Sequence, residues 1–168
     1  MSQICGVVPA IVMDVHDPDG IGRVLINYAW VGEGQTQGYW APVATLMSGG
    51  GRGSWVMPEV GDEVLVAFEH GDVNHPYIIG FIWNGKDKPP ATDPQRRLIH
   101  SVNGHEIELY DPGVQDGDKG YIRIKDAHGN FIELSNAEIL IRSVGTVSIE
   151  GAHVFINRRR VVITSGDI

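Results

Sequence analysis

The stretch IELSNAEILIRSVGTVSIEGAHVFINRRRVVI, residues 132–163, decides the fold of the C-terminal part of the chain. It repeats a unit in which two apolar residues lie two positions apart. That spacing is typical of a β-strand, and turn-forming residues such as Asn136, Gly145 and Gly151 separate the units. The units start seven or eight residues apart and are Ile132/Leu134, Ile139/Ile141, Val147/Ile149, Val154/Ile156 and Val161/Ile163.

This pattern predicts a ladder of very short strands and argues against a coiled coil. A heptad seam places apolar residues three and four apart, and the segment is rich in Ile, Val, Ser and Gly where a coiled coil is rich in Leu, Ala, Glu and Lys. Each unit has so few apolar side chains that one copy of the ladder lacks a core of its own. A single-chain solenoid would need more repeats and polar caps at its ends. We therefore expect a homotrimer in which three chains wind together and bury the ten apolar residues of the five units.

Composition indicates an all-β protein. The 168 residues include 22 Gly and 9 Pro, with 42% hydrophobic and 20% charged residues, and few stretches resemble a helix. Apolar runs are far shorter than the roughly 20 residues of a membrane span, and Pro9 interrupts an N-terminal apolar stretch that has no basic residue before it. We expect a chain made in the cytoplasm without a signal peptide. Cys5 is the single cysteine, so no intrachain disulfide is expected.

The N-terminal half alternates predicted strands with turns and predicts a small closed barrel, because closure removes exposed sheet edges. Residues 84–97 contain three prolines and no apolar pattern, which is typical of an extended linker. The predicted domains are thus an OB-type barrel over 1–83, the linker over 84–97 and a spike domain over 98–168. The predicted barrel strands are Cys5–Asp14, Arg23–Trp30, Tyr39–Leu46, Val64–Phe68 and Tyr77–Trp83.

Charge and motifs give no catalytic, cofactor or metal site. Residues 1–95 carry a net charge of −7 out of −8, which disfavours binding to nucleic-acid backbones. The run Arg158–Arg160 is either a solvated turn or a docking surface for an acidic partner. Glu106 and Glu108 share a strand face and are expected to be solvated, and the seven histidines lack metal-ligand spacing. His153 would hold an ion only if three copies faced a trimer axis, and its register places it outside.

Six motifs in order resemble the OB-fold base of contractile-tail spike proteins, the family of phage baseplate assembly protein V and the VgrG proteins of type VI secretion. A seventh segment, Arg97–Leu109, resembles the start of the spike's β-helix. The six motifs are GVV at 6–8, DPDGIGRV at 17–24, WAPVA at 40–44, GDEVLVAFEHGD at 61–72, PYIIG at 76–80 and NG at 84–85.

The resemblance implies a homotrimer with an N-terminal OB-fold barrel and a C-terminal triple-stranded intertwined β-helix, or β-prism. The OB domains would form a collar on a hub or tube protein of the baseplate, and the β-helix would be a needle that pierces a target membrane. Such a spike is assembled into a virion tail, a type VI secretion system or an extracellular injection particle. The chain is too short to carry the hub region that VgrG proteins place ahead of this fold, so the hub is expected to be another chain. A separate PAAR-type tip protein is expected to dock on Thr164, Ser165, Gly166, Asp167 and Ile168.

Two other functions stay open at this stage. An OB-fold module for single-stranded nucleic acid or another ligand would need aromatic side chains in a basic groove. The aromatic residues exist, but the surrounding charge is negative. A tail-associated hydrolase would need a polar catalytic constellation that the sequence does not display. The aromatic residues concerned are Trp30, Tyr39, Trp40 and Trp55.

Overall fold

The computed structural model describes residues 4–28, 30, 38–113 and 117–162. The chain forms two compact units, Met1–Pro89 and Pro90–Ile168. Within the described residues the regular structure is almost entirely strand, and the one helical segment is a 3₁₀ turn over Glu69–Gly71. No helix in this part of the chain is long and apolar enough to span a membrane. The all-β prediction is confirmed.

The N-terminal unit is a five-stranded antiparallel sheet that closes on itself. Its strand order is β3-β2-β1-β6-β7. A parallel bridge joins Val43 to Ile78, and the Ala44 N–H donates to the Ile78 carbonyl at 2.8 Å. This connectivity is that of an OB-type barrel. The strands are β1 (Val7–Asp14), β2 (Arg23–Tyr28), β3 (Tyr39–Pro42), β4 (Ser48–Gly49), β5 (Arg52–Gly53), β6 (Glu63–Phe68) and β7 (Pro76–Phe81), with β4 and β5 paired as a separate hairpin.

The barrel core follows the two-residue alternation of its strands. Val24, Ile26 and Tyr28 all point inward from β2, as their spacing predicts. The Tyr28 hydroxyl donates to the Val73 carbonyl at 3.3 Å, and burial raises the pKa of this phenol. The N-terminal unit therefore has a continuous core of its own. Its buried members are Ala10, Val12, Val24, Ile26, Tyr28, Ala41, Val64, Val66 and Ile78.

One predicted barrel strand is shorter in the structure. The third strand was expected over Tyr39–Leu46 but ends at Pro42, where the chain leaves β2 and bridges to β7 through Val43. Pro42 also has no N–H with which to continue a ladder. The glycine-rich loop around residues 48–54 contains the two short strands β4 and β5.

The C-terminal unit is a meander of five antiparallel strands followed by a short hairpin. The five strands are neighbours in chain order, β8 to β12. A single chain thus forms an open sheet, and the intertwined β-helix of three chains stays a proposal. The strands are β8 (Arg96–His100), β9 (Glu106–Tyr110), β10 (Tyr121–Lys125), β11 (Phe131–Ser135) and β12 (Glu138–Arg142), and the hairpin is β13 (Phe155–Ile156) with β14 (Arg159–Arg160).

The ladder prediction is only partly realised in one chain. Ile132/Leu134 lie on β11 and Ile139/Ile141 on β12, but no strand is present over residues 143–154, which include Val147 and Ile149. One rung of two apolar side chains offers too little surface to hold a strand without neighbours.

The unit boundary between Pro89 and Pro90 falls inside the predicted linker, residues 84–97. The side chain of Asn84 accepts the backbone N–H groups of Lys86 and Asp87, so this segment starts as a turn, and β8 begins at Arg96. The domain bounds 1–83, 84–97 and 98–168 stay predictions.

Candidate functional site

The five-stranded C-terminal sheet has one apolar face, and the register of its strands aligns this face into two rows. Residues directly opposite one another on neighbouring antiparallel strands project from the same face and contact each other. Nine residues form this face in two rows, and we call them the apolar face. The first row is Ile99, Ile107, Ile124, Ile132 and Ile141, and the second is Leu109, Ile122, Leu134 and Ile139.

The apolar face is exposed in the single chain. Its members range from 43% exposed at Leu109 and Ile132 to 72% at Ile99. It borders an open groove of about 750 Å³ that Thr146 and Val147 also line. Contiguous apolar surfaces of this kind mark interaction sites in folded proteins. Fully burying one Ile or Leu stabilises by about 1.5–3 kcal/mol, so roughly half of that per side chain is still to be gained from a partner.

The opposite face of the same sheet is charged, and its centre is buried. Glu108, Arg123 and Glu133 lie directly opposite one another on β9, β10 and β11. Glu108 is 0% exposed and Glu106 only 7%. The prediction that these two glutamates are solvated is therefore wrong. Long basic and aromatic side chains from the neighbouring strands fold across them, which a one-strand pattern does not reveal.

Each buried glutamate is satisfied by specific partners. The Arg96 guanidinium donates to one Glu108 oxygen, and the Tyr121 hydroxyl donates to the other at 3.3 Å. Glu106 lies 3.0 Å from the His100 ring nitrogen Nδ1 and 3.4 Å from the Lys125 ammonium. Paired in this way, buried carboxylates can stay ionised.

The pKa shifts agree with this arrangement. Burial acts to raise the pKa of Glu106, but the hydrogen bond with His100 and the charge of Lys125 outweigh it, so the pKa lies below its usual range. Burial and the neighbouring Glu108 carboxylate raise the pKa of Tyr121. Glu106 is thus held as an anion, whereas a general acid needs a raised pKa. These contacts link β9 to its neighbours β8 and β10.

The two faces of this sheet are therefore buried in the opposite way from a sheet in a stable monomer, where the apolar face is covered and the charged face is exposed. Its charged face is covered by its own side chains, while its apolar face is open. The outer strands β8 and β12 also leave their outward backbone groups unpaired with any other described strand. Such edges accept strands from other chains. An exposed apolar face and unpaired outer edges are typical of a surface that binds another chain.

The predicted site residues divide into three groups. Ile132, Leu134, Ile139 and Ile141 lie together on the apolar face. A second group lies outside the five-stranded sheet, and a third lies outside the described residues. The second group is Val147, Ile149, Val154, Ile156 and Val161; the third is Ile163 with Thr164, Ser165, Gly166, Asp167 and Ile168.

The ten predicted core residues leave out five other members of the apolar face. Ile107/Leu109 and Ile122/Ile124 show the same two-residue alternation, which was the available signal. Ile99 on β8 is found only from the strand register.

The DPDGIGR motif at 17–23 is a structural turn. The Asp17 carboxylate is 4% exposed and accepts backbone N–H groups of Ile21 and Arg23 at 3.1 and 3.0 Å. The side-chain hydrogen bonds of Arg23, followed by the backbone donors, hold the pKa of Asp17 far below its usual range. Its oxygens are thus engaged by donors. In the part of the chain that the structure describes, no cluster of three metal-ligating residues occurs.

The aromatic residues of the N-terminal unit do not line one basic groove. Trp30 stacks on Tyr28 with ring centroids 4.8 Å apart, and Arg23 lies 5.9 Å above the Trp40 ring. Arg23 is itself paired with Asp17. This arrangement differs from the basic aromatic groove of nucleic-acid-binding OB folds.

Comparisons with known proteins agree with the barrel geometry. Residues 8–83 match the type VI secretion system/phage-baseplate injector OB domain. Over this stretch the chain is similar to that injector OB domain. The predicted resemblance to VgrG-like baseplate and spike proteins is confirmed.

Three relatives from Pseudomonas aeruginosa extend the similarity beyond the injector OB domain. VgrG4b is 36% identical over 118 residues, VgrG1a is 32% identical over 127, and VgrG2a is 28% identical over 109. All three are named type VI secretion system spike proteins. The matches cover 66%, 68% and 63% of this chain, which is more than the N-terminal unit, so they continue into the C-terminal unit. The chain spans only 13%, 20% and 13% of these relatives.

Proposed function

We propose that the chain is a structural subunit of the central spike of a contractile injection machine, in a phage tail, a type VI secretion system or an extracellular injection particle. It would act as a homotrimer with the injector OB domains as a collar and the C-terminal unit as a needle. One observation carries this proposal: nine aliphatic side chains of the C-terminal sheet are exposed on a single face. The relatives that are named spike proteins support the assignment to a spike.

The apolar face gives the needle its core. In a trimer, three such faces would turn toward a common axis and bury one another, with the predicted core residues Ile132, Leu134, Ile139 and Ile141 among them. Free edges at β8 and β12 would pair with neighbouring chains, so that axial load meets backbone hydrogen bonds and a dry core. The remaining predicted core residues would extend the same packing toward the C-terminus: Val147, Ile149, Val154, Ile156, Val161 and Ile163.

The partners of the spike are proposed from the same reasoning. The collar would seat on a hub or tube protein, and the groove of about 520 Å³ beside β4 and β5 supports this, because Met47, Trp55 and Val56 are exposed around it. A PAAR-type protein would cap residues 164–168, and the needle would meet a target membrane on firing. This role is mechanical and uses no catalytic group, metal or cofactor.

The test is the absolute mass of the full chain in solution, measured by light scattering over a range of protein concentrations. A mass three times the 18.3 kDa of one chain is expected. Single-stranded DNA binding at low and high salt is measured on the same sample. A monomer that binds DNA in a salt-dependent way would overturn the proposal in favour of an OB-fold binding module.

A further inference from the structure

Three neighbouring strands of the barrel, β1, β6 and β7, are apolar on both faces. A barrel strand with one face in solvent normally alternates apolar and polar residues, whereas a continuous apolar run is typical of a strand that is covered on both sides. Here β1 reads VVPAIVMD, β6 reads EVLVAF and β7 reads PYIIGF. The inward residues of these strands form the barrel core. Their outward residues have the composition of a second buried face.

These outward residues form one surface, which we call the outer barrel face. Opposite residues on neighbouring antiparallel strands share a face, so the strand pairing brings them together. The aliphatic members Val7, Ile11 and Ile79 are 52%, 39% and 45% exposed. Contiguous exposed apolar surfaces mark interaction sites. The outer barrel face comprises Val7, Pro9 and Ile11 from β1, Leu65 and Ala67 from β6, and Tyr77 and Ile79 from β7.

Two carboxylates bracket the outer barrel face. Glu63 begins β6 opposite Ile11, and Glu69 directly follows the end of the same strand. At about 3.3 Å per residue, the two positions are roughly 20 Å apart. Glu63 accepts a hydrogen bond from the Asn84 amide at 3.0 Å, and Glu69 accepts one from the Tyr77 hydroxyl at 3.2 Å. Among the described residues neither forms a salt bridge with a cation, whereas the glutamates of the C-terminal sheet do.

The charge of Glu69 acts on the outer barrel face itself. Together with the hydrogen bond between them, this charge raises the pKa of the Tyr77 phenol. Residues 1–95 as a whole carry a net charge of −7. The surface is therefore apolar between two negative ends. Its electrostatic complement is a surface that is apolar between two positive ends.

A second copy of the chain does not supply this complement. Two outer barrel faces packed on each other would bring carboxylates together, and like charges in an interface cost binding energy. A face that packs on itself also gives a two-fold dimer. The partner is therefore a different protein. Sheets commonly bury an apolar face against an α-helix, and a helix that spans roughly 20 Å has about 13 residues.

We infer that the outer barrel face binds an amphipathic α-helix of another protein, with an apolar stripe about 13 residues long and Lys or Arg at both ends. This surface shares no residue with the groove beside β4 and β5 that we assign to the hub. The inference thus goes beyond the proposed function. Helix binding and solution mass are measured separately, so either can fail alone.

The test is fluorescence anisotropy of labelled helical peptides titrated with the full chain. The basic peptide has about 18 residues, a length at which an isolated helix can form, with a stripe of Leu and a pair of Lys at each end. The acidic peptide carries Glu in place of Lys. The variant Val7→Ser/Ile79→Ser removes apolar contacts from the outer barrel face. Its matched control, Leu46→Ser/Val60→Ser, removes two exposed aliphatic side chains elsewhere in the N-terminal unit.

A second pair of variants tests the charges. Glu63→Gln/Glu69→Gln neutralises the two ends of the outer barrel face. The control Glu59→Gln/Glu150→Gln neutralises two exposed carboxylates elsewhere and reaches the same net charge. Thermal unfolding and solution mass of every variant report on its fold and assembly. The charge variant changes no apolar side chain, so it decides the outcome if Val7→Ser/Ile79→Ser fails to fold.

We expect the parent to bind the basic peptide and to release it as salt rises. Val7→Ser/Ile79→Ser should bind roughly tenfold more weakly or worse, since each half-exposed aliphatic side chain loses about threefold or more. Glu63→Gln/Glu69→Gln should lose about two- to fivefold per carboxylate and should discriminate less between the basic and the acidic peptide. Both controls should bind as the parent does.

Four outcomes would overturn the inference. They are no binding of the basic peptide, equal binding of the acidic peptide, and an equal loss of affinity in either control. The fourth is a changed solution mass of Val7→Ser/Ile79→Ser, which would show that another copy of the chain covers the outer barrel face.

Discussion

Replacing Ile141 with Lys should dissociate the proposed trimer, while the same change at the adjacent Leu140 should not. Both residues lie on the outer strand β12, on opposite faces of the sheet. Ile141 ends the row of isoleucines on the apolar face. Leu140 lies opposite Glu133 on the charged face, where a lysine gains an acidic neighbour.

The size of the effect follows from the exposure of Ile141, which is 55% in the single chain. Burying that half of the side chain in a trimer is worth about 1–1.5 kcal/mol per chain. A lysine forfeits this gain and adds about 1–3 kcal/mol for placing a charged group against apolar neighbours. Over three chains the change is roughly 6–13 kcal/mol, which moves the association constant by at least about four powers of ten.

Light scattering on a dilution series measures this directly. The parent and Leu140→Lys should keep three times the 18.3 kDa mass of one chain, and Ile141→Lys should fall to a single mass. Circular dichroism checks that the barrel of Ile141→Lys stays folded. If Ile141→Lys remains trimeric at every concentration, or if Leu140→Lys dissociates equally, the apolar face is not the trimer interface.

Three further predictions concern stability. Asp17→Asn should lower the melting temperature at pH 7 and should reduce the further fall in melting temperature between pH 7 and pH 3. A carboxylate with a lowered pKa adds stability above about pH 4, and this stability is lost as pH falls. Thermal unfolding from pH 7 to pH 3 tests this. Glu108→Gln should lower the free energy of unfolding by about 1–2 kcal/mol in chemical denaturation. Breaking a fully buried ion pair costs about 3–5 kcal/mol, and the cost is smaller here because Arg96 is 33% exposed and water screens its charge. Gly120→Ala should cost about 3 kcal/mol or more in the same assay, because its Cβ would lie 1.7 Å from the Tyr110 carbonyl oxygen at a φ of +77°.

The predictions for Glu108 and Gly120 each have a matched control. Asp111→Asn breaks a salt bridge in which both side chains are more than 60% exposed, and it should cost less than about 1 kcal/mol. Gly117→Ala has a similar φ of +69° but open space around its Cβ, so about 1 kcal/mol is expected. Equal losses in target and control would refute the argument from burial or from steric contact. If Asp17→Asn loses melting temperature between pH 7 and pH 3 as the parent does, the ion pair of Asp17 with Arg23 does not contribute to stability.

The sequence allowed the barrel to be predicted because each of its strands carries its own signal. The two-residue spacing in β2 predicts that Val24, Ile26 and Tyr28 share one face, and all three are buried in the barrel. The early end of β3 could not be read from alternation, because it depends on a bridge between Val43 and the distant Ile78. Contacts between residues far apart in sequence leave no local pattern.

The candidate site was predictable in part for a related reason. The spacing of Ile132 with Leu134 and of Ile139 with Ile141 placed them together on one face, and the register confirms that placement. The burial of Glu108 was missed, because the alternation of an Ile-Glu-Leu strand normally places its Glu in solvent. Arg96 from the preceding strand and Tyr121 from the following strand cover Glu108. Their positions depend on the register of three strands, which a single strand's pattern does not reveal.

The exposed isoleucine row also affects how the protein is made. Residues 1–89 enclose a core of their own, whereas the sheet that follows keeps its apolar face exposed in the part of the chain that the structure describes. In the proposed trimer, the stability of this sheet would depend on the concentration of other copies of the chain. Unassembled copies would expose this apolar sheet to chaperones and proteases. In the cell, an unassembled subunit would then be degraded while an assembled one persists.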